Sequence, residues 1–457
     1  MVLVLTVIVL QSISFANYAL TAQTTNIIQG SAPYLTFDGG RTRVTNTEAL
    51  LGISLSDGRR FTPTTTNSRY NPIELPVVGQ SFNDIGMLVP TDTNSIALSS
   101  LIGPPNNYWG DDDGDGQGVN GITATGSLNL SIVDYNNNPV ARNEVLTMCK
   151  ALYKLTLSND EGTLKTRYGV PNESRFNASN ATYYIMPKTA PVVCYAAPNS
   201  IYGEGLSAAV WKKVDGFLPQ SVTPSSYGLN FPTTGANNLQ FRLMIKGINQ
   251  ALSWAPVSHG GITATMTDSR STSVRVTLTG PAVIGYNPGG IARPSLPQVF
   301  ELVGRDSSGN AVVKYGFVLK QWFVQSASYT NSGYYSNTSS WCNNIGYRLP
   351  KVKDLTNASC PEGGGCLGSV GATPSSPDNS ARHHIGGGLF SEWGNLCSTY
   401  YNPIGSFPCG TGYWTQDRVG SSQEYFIVES EYGRVSPLSP SYDRWYYNSA
   451  NGVCVYP

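Results

Sequence analysis

Along the middle of the chain, apolar and polar residues alternate with a period of two. Ser273-Val274-Arg275-Val276-Thr277-Leu278-Thr279, Leu239-Gln240-Phe241-Arg242-Leu243-Met244-Ile245 and Ser127-Leu128-Asn129-Leu130-Ser131-Ile132-Val133 each read as a half-buried strand. Val299-Phe300-Glu301-Leu302-Val303 and Ala311-Val312-Val313 flank the turn-forming Asp306-Ser307-Ser308-Gly309-Asn310, so a hairpin is expected there, followed by a further strand over Tyr315 to Val324. Helical periodicity is scarce. Gly, Pro, Asn and Ser interrupt the pattern every ~10 residues, the rhythm of antiparallel sandwiches. The pentad Gly121-Ile122-Thr123-Ala124-Thr125 returns as Gly261-Ile262-Thr263-Ala264-Thr265, which two related sandwiches and a chance likeness of strands explain equally well. The polar, turn-rich Tyr329 to Ser340 reads as a junction with a different kind of domain.

Composition narrows the class. At ~150 residues per domain, 457 residues allow about three domains. Charged residues are only 13% of the chain, against a usual ~25%, while Gly (48) and Tyr (27) are abundant, a profile of extracellular β-rich proteins. Lys+Arg and Asp+Glu are 29 each, so no electrostatic footprint for nucleic acid or an anionic membrane is visible. Val2 to Leu10 is an apolar run followed by small residues at Ser14 and Ala16, which fits a secretory signal peptide over residues 1–22, cleaved after Ala16, Ala19 or Ala22. It lacks a basic start, and a buried strand is the competing reading. No other stretch approaches the ~18 apolar residues of a membrane span, so no membrane insertion of the mature chain is expected.

Eight cysteines in an exported chain read first as disulfides. Cys149 and Cys194 stand apart, and theirs is the one pairing that stays in the first half. Cys342, Cys360, Cys366, Cys397, Cys409 and Cys454 crowd the end, and spacing alone leaves their connectivity open. Zinc is disfavoured, because no CxxC pair occurs and the adjacent His383 and His384 lack partners at finger spacing.

The sharpest chemical signal is Trp109-Gly110-Asp111-Asp112-Asp113-Gly114-Asp115-Gly116. Asp111, Asp113 and Asp115 at alternate positions of a curled loop can converge on one hard cation, and crowded carboxylates call for a counter-ion, so calcium is expected there as a structural ion. Ile122 occupies the twelfth position, so this is no EF-hand; Asp134 is the nearest other acid. A solvated acidic turn is the bland alternative. For catalysis the chain offers no G-x-S-x-G elbow, no H-E-x-x-H and no P-loop, and it has three histidines in all, so no enzyme is expected.

From Trp341 onward the segments Trp341-Cys342, Gly346-Tyr347-Arg348-Leu349-Pro350, Asp354-Leu355, Tyr413-Trp414-Thr415 and Gly452-Val453-Cys454-Val455-Tyr456-Pro457 resemble a C-type lectin-like domain. The resemblance implies a Cys342–Cys454 bridge, with Cys360–Cys366 and Cys397–Cys409 as local pairs. The Glu-Pro-Asn or Gln-Pro-Asp and Trp-Asn-Asp triplets of calcium-dependent sugar binding are missing; Trp414-Thr415-Gln416-Asp417 only approaches the last.

Over nearly everything after residue 23, the chain resembles the adhesion domain of enterobacterial invasin/intimin-type surface adhesins, of the invasin E type. The likeness rests on Gly30-Ser31-Ala32-Pro33-Tyr34-Leu35-Thr36-Phe37-Asp38-Gly39-Gly40, Ile85-Gly86-Met87-Leu88-Val89-Pro90-Thr91-Asp92-Thr93, Tyr108 to Gly116, Arg167-Tyr168-Gly169-Val170-Pro171, and Arg382 to Gly394. What it implies is a mainly β protein, with antiparallel Ig-like β-sandwich domains followed by a disulfide-rich α+β C-type lectin-like domain. The expected regions are 23–205, carrying the Asp-rich loop, 206–335, an Ig-like sandwich, and 336–457, lectin-like. The implied function is adhesion to a protein or glycan of a host cell or its matrix, from the surface of a Gram-negative bacterium or after secretion, with a separate outer-membrane barrel as a partner for export. Trp414, Tyr432, Trp445 and Tyr446, beside Tyr413 and Tyr447, are the aromatics that would anchor such a ligand if exposed; the competing fate of each is the core. A secreted carbohydrate-active enzyme and a structural passenger are the alternatives.

Overall fold

A computed structural model describes residues 29–114, 116, 121–201, 203–283, 290–325, 334–360, 365–396, 407, 412–440 and 450–457. The leader-like residues 1–22 therefore lie outside it. The chain divides into two compact units, Met1–Lys188 and Thr189–Pro457.

In the first unit, the alternation at Ser127–Val133 and Tyr153–Asn159 makes two neighbouring strands that turn Leu128, Leu130 and Ile132, and Tyr153, Leu155 and Leu157, inward. They are the fourth and third strands of a five-stranded sheet in the order Ile73–Glu74, Ser179–Met186, Tyr153–Asn159, Ser127–Val133, Ser95–Ala97. A second, three-stranded sheet joins Glu173–Phe176, Gly162–Thr166 and Ile122–Thr125. Leu130, Leu155, Leu157 and Ile185 fill the core, and Phe82 meets Tyr153 edge to face at 5.8 Å. Arg142, 7% exposed, spends its guanidinium on the carbonyls of Val89, Pro90 and Thr93, so that a buried cation fastens an irregular loop.

In the second unit, a seven-stranded antiparallel sheet runs Trp211–Lys212, Gly216–Phe217, Val192–Pro198, Gln240–Lys246, Ser273–Thr279, Ile262–Thr267, Val257–His259. The strand Val192–Pro198 thus belongs to this sheet and not with the region 23–205 in which the sequence places it. The predicted hairpin is Gln298–Arg305 paired with Ala311–Leu319. It lies over the large sheet, with Phe317 stacked on Phe300 at 5.1 Å and edge-on to Phe241 at 5.9 Å, which makes a two-layered sandwich.

The single strand expected over Tyr315 to Val324 is two. Lys320 and Gln321 both direct their backbone N–H to the Thr233 carbonyl, which breaks the ladder and passes Gln321–Gln325 into another sheet, between Thr234–Ala236 and Val453–Tyr456. The chain's last strand therefore returns to the sandwich. Between these strands lie the helices Tyr335–Asn344, Val352–Leu355 and Leu389–Trp393, and the antiparallel sheet Gly412–Arg418, Tyr425–Glu429, Val435–Leu438. One continuous core extends from Val193 through Trp322 and Trp393 to Val455. The recurring pentad occupies unlike places: Ile122–Thr125 pairs with Gly162–Thr166, whereas Ile262–Thr267 lies between two neighbours of the large sheet. Among the described residues no helix is long and apolar enough to cross a membrane.

Candidate functional site

The Asp-rich loop leaves the two-residue ladder between Tyr34–Leu35 and Trp109–Gly110. Its described carboxylates bond different partners. Asp111 accepts from the Gly116 N–H at 2.7 Å and Asp113 from the Ser31 N–H at 2.7 Å. Asp112 accepts from the Tyr34 hydroxyl at 3.1 Å and pairs with Arg43, whose guanidinium also lies over the Tyr34 ring at 4.6 Å. Burial, and then the hydrogen bond to Asp112, push the Tyr34 phenol up. Asp134 is committed elsewhere, accepting from Asn136 and Asn138 within its own turn. Asp115 lies outside the described residues. Among those described, no three carboxylate, imidazole or thiol groups converge as metal ligands.

At the other end of the chain, Cys342 in the helix Tyr335–Asn344 is bonded to Cys454 in the final strand, and Cys360 to Cys366. Cys149 and Cys194 are disulfide-bonded as well. Cys397 and Cys409 lie outside the described residues, as do Trp445 and Tyr446. Trp414 corrects the expectation of a ligand contact. It is 1% exposed, opposite Ile427 in the ladder and edge-on to Tyr335 at 5.7 Å, because the inward face of a sheet covered by a helix has no water to meet. Asp417, in the segment that approaches the sugar-binding triplet, instead accepts the Val352 N–H at 2.7 Å, at the start of a short helix.

Tyr432 is 51% exposed, at the turn between Tyr425–Glu429 and Val435–Leu438. The turn is held firmly. The Tyr432 carbonyl accepts from the Ala381 N–H at 2.8 Å, and Asn379 bonds both the N–H and the carbonyl of Val435. Gly433 has φ +61 and packs so closely on Ala381 that no Cβ fits. The Arg434 guanidinium covers one face of the Tyr432 ring at 4.9 Å, and the Glu431 carboxylate, by hydrogen bonding, holds the phenol above its usual range.

The longest motif behind the resemblance, Arg382 to Gly394, proves to be a fastening. Glu392 is wholly buried and accepts from Thr233 N and Oγ1, Thr234 N and Oγ1, and Gly386 N. Trp393 Nε1 donates to the Thr234 carbonyl, and His383 stacks on Trp211 at 3.7 Å. This fastening also builds a cleft that sequence reasoning missed. About 340 Å³ in volume, it is lined by Val210, Gln220, Gly228, Leu229, Thr233, Lys320, His384, Ile385 and Gly386. Its residues come from three separated stretches, 210–233, Lys320 and 384–386, and the local signal is the polar interruption at Lys320 in an apolar run.

No protein-family model matches the chain, and no curated protein matches it. Among solved structures it is similar to invasin, a bacterial integrin-binding protein, at 14% identity over 77% of this chain and 53% of that one, with a TM-score of 0.34. This chain thus spans about half the length of the invasin chain. It is also similar to the C-terminal 282-residue fragment of intimin, solved with the intimin-binding domain of the translocated intimin receptor, at 13% identity over 73% of this chain and 98% of that one, with a TM-score of 0.33. A third similar structure is intimin-190 from enteropathogenic E. coli, at 15% identity over 57% of this chain and 100% of that one, with a TM-score of 0.27.

Proposed function

We propose that the chain is an adhesin-like binding protein, acting by recognition without turnover, that meets a host-cell or matrix protein or glycan through its C-terminal lectin-like segment. The observation that carries this reading is the Tyr432 turn: an exposed tyrosine with an arginine stacked on it, on a backbone fixed by Ala381, Asn379 and a glycine that admits no side chain. Rigid aromatic and arginine anchors lose little entropy on binding and dominate interface energies. The sequence motifs given above add to it, and the disulfides support an oxidising, extracytoplasmic location, at the bacterial surface or beyond it, reached with or without a separate barrel.

Because residues 342–455 share their core with the sandwich, removing the lectin-like segment would expose that core, and point variants make the cleaner test. On arrays of host proteins and glycans, Tyr432→Ala should weaken a specific hit by at least ~30-fold, the ~2 kcal/mol of a hot spot. Tyr70→Ala, at an 89% exposed tyrosine of the first unit, should leave it unchanged. A hit indifferent to Tyr432 would sink this assignment.

Calcium at Asp111, Asp113 and Asp115 belongs to the same reading, as an ion that would stiffen the loop. The alternate carboxylates and the turn at Gly116 support it, while Arg43 already answers the charge of Asp112. Calcium at ~100 times its dissociation constant would add about 2.7 kcal/mol to stability. An unchanged melting temperature at millimolar calcium would discard the ion.

A further inference from the structure

We propose that the cleft beside Lys320 binds a carboxylate carried on a short aliphatic body, such as the C-terminal residue of a peptide. Its walls divide in that way. Val210, Leu229 and Ile385 supply an aliphatic surface, and Leu229 is 59% exposed, high for a leucine at the mouth of a cleft. Lys320 supplies the cation. Its side chain is exposed, its ammonium makes one long bond, 3.4 Å, to the Gly228 carbonyl, and among the described residues no carboxylate pairs with it. An ammonium has three donors, so two remain for an incoming anion.

Two further groups fit the same ligand. His384 Nδ1 lies 2.8 Å from the Ile385 carbonyl, an acceptor, so that nitrogen carries the proton and, in the neutral ring, Nε2 is left to accept a ligand N–H. The Gln220 amide is fixed by donating Nε2 to the carbonyls of Ala209 at 2.9 Å and Leu218 at 2.8 Å, which leaves Oε1 to accept a ligand N–H. Apart from His384, the described residues of the lining offer no aromatic face on which a sugar ring would stack. At about 340 Å³ the cleft is at the small end of the ~300–1,000 Å³ range of ligand sites, which suits one side chain and its carboxylate.

One feature opposes an anion. Glu392 lies beneath the floor, bonded to Thr233 and Gly386, which both line the cleft. Its lone pairs are taken by protein donors, yet its charge favours a cation above it, so the sign of the bound group decides the matter.

The test titrates the full chain with N-acetyl-leucine, 3-methylbutanoate, N-acetyl-leucinamide and 3-methylbutylamine, read by calorimetry and by competition. Both acids should bind saturably and displace each other, with the neutral amide about tenfold weaker, as a charge-assisted hydrogen bond warrants. Lys320→Gln should lower acid affinity about tenfold and leave the amide unmoved, while Lys320→Arg retains the acid. Leu229→Ala should weaken both acids. Melting curves check that these surface variants fold. Tighter binding of N-acetyl-leucine would identify a peptide C-terminus as the source, and tighter binding of 3-methylbutanoate a free acid; either supports the site. Equal affinity for acid and amide, preference for the amine, no saturable binding, or indifference to Lys320→Gln in a folded variant would overturn it.

Discussion

A single buried carboxylate shows how local chemistry sets the pH behaviour of the second unit. Asp354 is 5% exposed. Burial alone would raise its pKa, but hydrogen bonds from Arg348 at 2.6 Å, Gln321 at 2.9 Å and the Lys351 N–H at 2.7 Å outweigh that and hold it below the ordinary aspartate value. A folded pKa below the unfolded one means that the unfolded chain binds the proton more readily. The stability is therefore fully present above the unfolded value, near pH 4, and is lost as the pH falls through the lower folded one. Asp354→Asn should be less stable at neutral pH and show a shallower loss below about pH 4, measured by urea denaturation across pH. A parallel acid limb in the variant would assign the acid sensitivity elsewhere. At this scale the sequence was only partly legible. Asp354 stands beside Leu355 in a recognisable motif, but nothing near it in sequence foretells Gln321 as a partner. Trp414 was legible as an aromatic and misplaced as a ligand contact, because whether a strand face meets water depends on the distant helix Tyr335–Asn344 that covers it.

Elements were read best where one face is wet. Ser127–Val133, Ser273–Thr279 and the hairpin around Asp306–Asn310 stand where alternation places them, since a period of two leaves only one register that buries the apolar set. The stretch from Tyr315 to Val324 misled because an apolar run carries no mark of the sheet to which each part belongs; the change is made by Thr233, far back in the chain. The short helix Leu389–Trp393 likewise owes its place to Glu392 and not to helical periodicity. Glu392→Gln keeps the shape but turns one acceptor oxygen into a donor facing other donors. It should cost about 3–5 kcal/mol, the range for breaking a buried polar arrangement from one side. Chemical denaturation would measure it, and a loss below about 1 kcal/mol would mean that the network relaxes around the amide. Helical content should barely change, since the segment is a single turn.

For the whole molecule, composition and cysteine number were enough to expect a β-rich, oxidised chain, and the structure is a mainly antiparallel one with bonded cysteines. The merging of sandwich and C-terminal segment into one core was not legible, because it depends on the last strand returning to pair with Gln321–Gln325. Cys342 and Cys454 enclose 112 residues of sequence separation. In the chain-entropy account, the paired substitution of both by alanine should cost about 4–5 kcal/mol. It should lower the melting transition of the second unit as a whole, by calorimetry; a change confined to a minor early transition would show that the final strand docks separately.

The same bond has a mechanical meaning. Tension applied at Pro457 reaches Cys454 within a few residues and crosses its sulfur into the helix Tyr335–Asn344, so the load bypasses the intervening chain. Those 112 residues represent a hidden length of roughly 370–400 Å at ~3.3–3.6 Å per residue, which a pulled, oxidised molecule cannot pay out. Reduced, the same chain becomes a long tether. A molecule loaded in this way would thus stay short and stiff for as long as its surroundings remain oxidising.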